Sequence, residues 1–121
     1  MLFRSVLRTS GEKISVPLDE LETRIPKLLD TVQKQMFEKA KANLDSHTFV
    51  AHSLEEAKAL QEENGGFIKT MWCGEEQCEL EMKEKAGMSS RCIPFAQEHL
   101  GDVCACCGKP AKTMIYWGVA Y

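Results

Sequence analysis

The chain has 121 residues, of which 44% are hydrophobic and 27% charged, and its formal net charge is −3. That length supports one modest domain or two small units, and the composition is that of a globular chain, not a disordered one. The acidic balance argues against a free-standing nucleic-acid binder, which carries a basic excess, and makes a DNA-reading zinc finger a poor fit.

No stretch is long and apolar enough to span a bilayer. Met1-Leu-Phe-Arg-Ser-Val-Leu7 is too short and too interrupted for a signal peptide. The expectation is a cytoplasmic chain without membrane association, in a reducing compartment where paired cysteines hold metal more often than disulfides. A six-cysteine secreted scaffold is the alternative. It is disfavoured because all six cysteines fall between Trp72 and Tyr121.

Residues 3–8 and 13–17 are short β-branched and apolar runs parted by Thr9-Ser10-Gly11-Glu12, which predicts a hairpin. A lone two-stranded ribbon does not stand in water, so it packs on the following helix or belongs to a sheet that is mostly missing. Leu18, Leu21, Ile25, Leu28, Leu29, Val32, Met36, Ala40 and Leu44 then recur at three- and four-residue steps. Pro26 interrupts the run and disfavours helical angles at Ile25. The expectation is a short helix at 18–24 and a long one from Pro26 to about Asp45, its apolar stripe packed in a core.

A boundary is expected near Asp45–Thr48. Thr48-Phe49-Val50-Ala51 is a candidate strand. Ser53-Leu-Glu-Glu56 has the form of a capping box opening a helix with Leu54, Ala57 and Leu60 on one side, ended by Gly65-Gly66. Phe67–Trp72 reads as a strand delivering Cys73. A helix is expected from Glu75 to Ala86, closed by Gly87, with Cys78 in its first turn, where the helix dipole lowers a thiol pKa. Ser89–Ile93 is a weak strand stopped by Pro94, and 95–103 a loop or a single turn. Lys112–Tyr121 alternates and is aromatic-rich, predicting a strand to the last residue.

Cys73-Gly-Glu-Glu-Gln-Cys78 and, after 25 residues, Cys104-Ala-Cys-Cys107 form two close pairs across a medium gap. That is how a chain offers four thiolates to one tetrahedral zinc. A closed four-thiolate shell leaves no position for water, so the metal is expected to be structural. Metal binding offsets the entropy of ordering loops that a small core does not hold. A redox pair at Cys104 and Cys107 is the rival, but it leaves Cys73 and Cys78 unexplained. Cys106, inside the second knuckle, is a spare that could substitute for a neighbour. Cys92, on a presumed strand, reads as a buried small hydrophobe. His47, His52 and His99 show no catalytic spacing and read as surface or loop residues. No phosphate loop, nucleophile elbow or carboxylate pair stands out, so no active site is legible.

Trp72-Cys-Gly-Glu-Glu-Gln-Cys-Glu79, Arg91-Cys-Ile-Pro-Phe95, Cys104-Ala-Cys-Cys-Gly-Lys-Pro-Ala-Lys112 and the terminal Tyr121 resemble the C-terminus of prolyl-tRNA synthetase of the archaeal and eukaryotic type, which also occurs in some bacteria. Arg8, Gly11, Glu12, Lys13 and Val16-Pro17-Leu18 resemble the segment leaving that family's anticodon-binding domain, and the helix around Gln33 resembles its linker helix. The family often carries an acidic residue where Thr9 stands. Met1–Ser5 fit it poorly. Leu2-Phe-Arg-Ser5 is also what one reading frame of a common sequencing adapter encodes, so the coding sequence is expected to begin upstream.

The resemblance implies a C-terminal fragment of proline–tRNA ligase, a class II synthetase that joins proline to tRNA(Pro) with ATP in protein biosynthesis. The predicted elements make the fold α+β, a hairpin plus helices over 1–46 and a small antiparallel or mixed sheet with two helices and the zinc knuckles over 47–121. The resemblance assigns 1–17 as the end of the anticodon-binding domain, 18–46 as linker helices and 47–121 as a C-terminal zinc-binding domain. It carries the zinc ligands to Cys73, Cys78, Cys104 and Cys107, and places Tyr121 toward the active site of the parent enzyme. ATP and proline are expected to bind a catalytic domain that is missing here, so this chain alone is expected to be inactive. The parent is expected to be a homodimer through that domain, and no DNA is involved. A stand-alone zinc module binding protein or RNA, and a thiol redox protein, are the competing readings.

Overall fold

A computed structural model describes residues 1–121, which divide into two units, Met1–Asn43 and Leu44–Tyr121. The fold is α+β. In the first unit, β1 (Leu2–Val6) and β2 (Lys13–Pro17) pair antiparallel from Leu2 opposite Pro17 to Val6 opposite Lys13. The turn closes through Leu7 N–H to the Glu12 carbonyl at 2.9 Å and Gly11 N–H to the Leu7 carbonyl at 2.7 Å. Leu7 and Val16 are buried. The ribbon packs on the helix that follows: Val6 and Leu7 share an apolar hollow with Leu28 and Val32, and the Thr9 hydroxyl donates to the Gln35 side-chain carbonyl.

That helix departs from expectation in two ways. A single 3-10 turn (Leu18–Glu20) leads into one unbroken helix, α1 (Leu21–Ser46), with Pro26 inside it. Proline removes one bond to the Glu22 carbonyl, a cost of about 3 kcal/mol. A separate helix at 18–24 would be too short to hold itself and would require a second costly nucleation downstream, so continuity wins. The apolar stripe, moreover, is not core. No residue of α1 is buried, and Leu29, Met36 and Phe37 are all more than half exposed. The reason is length: α1 extends about 39 Å, whereas five-residue strands cover about 17 Å of it.

The second unit is a mixed four-stranded sheet in the order β3-β4-β6-β5. β3 (Thr48–Val50) runs parallel to β4 (Phe67–Trp72), and β6 (Thr113–Gly118) is antiparallel to both β4 and β5 (Ser89–Cys92). The parallel pair is joined, as it must be, by a crossover, α2 (Leu54–Asn64). Ser53 caps α2 by accepting from Glu56 N–H at 3.1 Å, while the Glu56 carboxylate reaches back to His52 N–H at 3.0 Å. The return turn is tight at Gly66, where φ is +77° and an added Cβ would lie 2.1 Å from the His47 carbonyl oxygen. α3 (Glu76–Ala86) ends at Gly87 as the sequence predicts.

Pairing puts Ile68 beside Trp117 and Thr70 beside Ile115 on one face of the sheet. There they meet Leu54 and Ala57 of α2 and Met82 of α3. Thr70 is the buried polar residue of this core, and its hydroxyl accepts from Trp117 Nε1 at 2.8 Å. Met71 and Met114 lie on the other face with Cys78, Cys104 and Ala111. β6 stops at Gly118, short of the predicted Tyr121. Its neighbours begin there, Phe67 opening β4 and Ser89 pairing with Gly118, so nothing remains to pair with beyond. Cys92 is exposed, not buried as expected. The register of β5 shifts between Ser90 and Cys92, which breaks the alternation the burial expectation relied on.

Candidate metal centre

The two cysteine segments converge on the face of the sheet that carries Met71 and Met114. β4 ends at Trp72 and hands Cys73 to the turn before α3, and Cys78 follows in the first turn of α3. Trp72 Nε1 and Cys78 N–H both donate to the Glu75 carbonyl, at 3.1 and 3.2 Å, and fix that turn. The second segment is a closed loop. Val103 bridges Pro110, Cys104 N–H donates to the Lys109 carbonyl at 2.8 Å, and Gly108 N–H donates to the Cys104 carbonyl at 3.0 Å. Gly108 makes the return with φ +73°. The loop is tied to the sheet by Ala105 N–H to the Met71 carbonyl at 3.1 Å and to α2 by Leu54 N–H to the Ala105 carbonyl at 3.1 Å.

These constraints bring Cys73, Cys78, Cys104 and Cys107 together, their Sγ atoms all within 4.8 Å of one another. Cys73 lies 3.6 Å from Cys78 and 3.7 Å from Cys107, sulfur to sulfur. A tetrahedral shell of thiolates about 2.3 Å from zinc has edges of about 3.8 Å, so the set has the right size for that ion. It is far too open for a disulfide, whose sulfurs sit about 2.05 Å apart. The donors are all soft sulfur, the class that suits zinc.

The electrostatics show what such a centre needs. Burial, then the neighbouring sulfurs, push the Cys78 thiol well above its ordinary value, and burial also raises Cys73. The depression expected from the first turn of α3 is therefore overridden by burial. Cys104 is the exception: burial pushes it up, but backbone N–H donors from Cys107, Cys106 and Cys73 outweigh that and hold it at about 7. Backbone amides thus approach the Cys104 sulfur at the second knuckle.

Cys106 stays outside the four-sulfur set. It is half-buried, its thiol contacts the Cys78 carbonyl at 3.5 Å, and burial raises it to about 12. His47, His52 and His99 are exposed. His99 sits 3.1 Å from the Asp102 carboxylate, away from the sulfurs. Tyr121 is fully exposed, beside a surface hollow of about 170 Å³ that Gln61, Gly66 and Phe67 also line. One feature of the centre escaped the sequence reading: Lys109 Nζ contacts both Glu75 carboxylate oxygens, at 2.9 and 3.2 Å, across the two knuckles. The carboxylate, and behind it the Cys107 and Cys73 sulfurs, raise the Lys109 ammonium pKa.

Residues 54–121 match the family described as prolyl-tRNA synthetase, C-terminal. A proline–tRNA ligase of Lachnospira eligens is 54% identical over 116 residues, which is 96% of this chain and 24% of that protein. Proline–tRNA ligase 2 of Bacillus cereus is 55% identical over the same shares. The crystal structure of prolyl-tRNA synthetase from Cryptosporidium parvum complexed with halofuginone and AMPPNP superposes with a TM-score of 0.90 at 30% identity. It covers 99% of this chain and 26% of that one. The same enzyme complexed with L-proline and AMP gives 0.89. The chain thus spans about a quarter of the length of the relatives it matches. With most of its second unit matched by the family and nearly its whole length shared with these ligases, the chain belongs to the prolyl-tRNA synthetase C-terminal family.

Proposed function

We propose that this chain serves as the zinc-stabilised C-terminal part of a proline–tRNA ligase, in which Cys73, Cys78, Cys104 and Cys107 hold one structural zinc. The observation that carries the zinc is the convergence of four sulfurs within 4.8 Å, from segments 25 residues apart in sequence. Four thiolates fill a tetrahedral shell, so the ion would order the loops and leave no site for substrate or water. Residues 1–17 would close the anticodon-binding domain of the ligase, 18–46 would link, and 47–121 would form the zinc domain.

ATP, proline and tRNA(Pro) belong in this reading to the longer ligase, and the Cryptosporidium parvum enzyme solved with L-proline and AMP and with AMPPNP supports binding of the first two by a whole ligase. The homodimer, the cytoplasmic location and a position of Tyr121 toward the active site are parts of the same proposal. No helix here is long and apolar enough to cross a membrane. Native mass spectrometry of the reduced 121-residue chain tests the centre: one zinc per chain is expected, lost on substituting any of the four cysteines. The pure chain is expected to form no prolyl-adenylate, and detectable adenylate would overturn the structural role.

A further inference from the structure

The four sulfurs come from two segments, and they are not held equally. Cys78 and Cys104 are buried, whereas Cys107 is exposed. A metal leaves such a site when its least-held ligand swings away, so what matters is what fastens the second knuckle on the Cys107 side. Glu75 is the N-cap residue of α3, yet its carboxylate makes no cap hydrogen bond to the helix. It reaches across to Lys109 Nζ instead, through both oxygens, at 2.9 and 3.2 Å.

Both ends of this contact are anchored. The Glu75 carbonyl receives Trp72 Nε1 and Cys78 N–H, and the Lys109 carbonyl receives Cys104 N–H at 2.8 Å. Resting on the zinc reading above, we infer that the Glu75–Lys109 ion pair is a clamp that joins the two knuckles and sets the rate at which the metal is released. Lys109 and Glu75 are positioning residues here: they touch no metal, and they act by keeping Cys107 in place.

The pair is exposed at both ends, its side chains 60% and 49% accessible, so its effect is modest and screened by salt. An exposed pair changes a rate by about 1.5- to fivefold. The test loads the full chain and its E75Q, K109Q and E75Q/K109Q variants with one zinc each, then follows zinc transfer to an excess of colorimetric chelator. Each single variant is expected to release zinc about 1.5- to fivefold faster, and the double variant no faster than either single, since the two act as one unit. Raising the ionic strength should bring wild type to the variant rate and leave the variants unchanged, and the charge-swapped E75K/K109E should recover part of the wild-type rate.

If all four chains release zinc at one rate, if the single effects add, or if E75Q slows release, the clamp is overturned while the metal centre stands. A wild-type chain that takes up no zinc overturns both. Far-UV circular dichroism of the loaded chains shows that each variant is folded; should E75Q fail that control, K109Q and the charge swap decide the matter.

Discussion

Cys78 shows how one residue needs the whole site. It is buried, sits among three other sulfurs and has its thiol pushed up by both conditions, so charging it without a cation is unfavourable. A dication removes that conflict, and the energy of metal binding then becomes folding energy. Cys73→Ser or Cys107→Ser is therefore expected to unfold the second unit, not merely loosen it. Circular dichroism with a zinc count checks this, and an unchanged melting temperature would refute a structural metal. The remaining two cysteines separate by environment. Alkylation of the zinc-loaded chain at pH 8 should modify exposed Cys92 first. Cys106 is half-buried and burial raises its thiol, so it should react more slowly. Peptide mass mapping over time reads the order.

Elements in this fold end where partners end, and small devices finish the job. Beyond Cys92, β5 no longer serves the edge of β6, and the Gln97 carboxamide takes over: its oxygen accepts Met114 N–H at 2.7 Å and its nitrogen donates to the Met114 carbonyl at 3.2 Å. Gln97→Ala is expected to cost about 1 kcal/mol in urea unfolding, because it leaves two strand groups half-sheltered without a partner. The turn between α2 and β4 is stricter. Gly66→Ala would drive a methyl group into the His47 carbonyl oxygen, a backbone atom that also accepts Phe67 N–H at 2.8 Å. A loss of more than about 1 kcal/mol is expected. Gly101→Ala, whose Cβ would meet His52 Nδ1 only at 3.9 Å, should stay within about 0.5 kcal/mol in the same assay.

At the scale of the molecule, the candidate metal ligands all lie in the unit Leu44–Tyr121, and the unit Met1–Asn43 holds itself by a ribbon on a helix. Chelation is therefore expected to melt the first of these and spare the secondary structure of the second, which hydrogen exchange resolves segment by segment. Acid should act in the same direction. Each thiolate that leaves zinc binds a proton, so metal-derived stability is present at neutral and higher pH and falls as pH drops. A melting temperature that rises on acidification would contradict a thiolate site.

The local signals in this chain were enough to reveal much of it. Ser53, Gly65-Gly66 and Gly87 mark helix ends because caps are made by residues adjacent in sequence, and the cysteine pairs point to a metal because each lies on a single turn. What the sequence could not carry depends on distant partners. Pro26 stays within α1 because helix continuity outweighs one lost bond. The stripe of α1 stays exposed because the ribbon is short, and Cys92 faces outward because the register of β5 slips. The Glu75–Lys109 pair joins residues 34 apart, and only the folding of both knuckles makes them neighbours. Capping and turn formation are settled within a few residues of chain, whereas burial, register and ion pairing are settled by what the rest of the fold brings alongside.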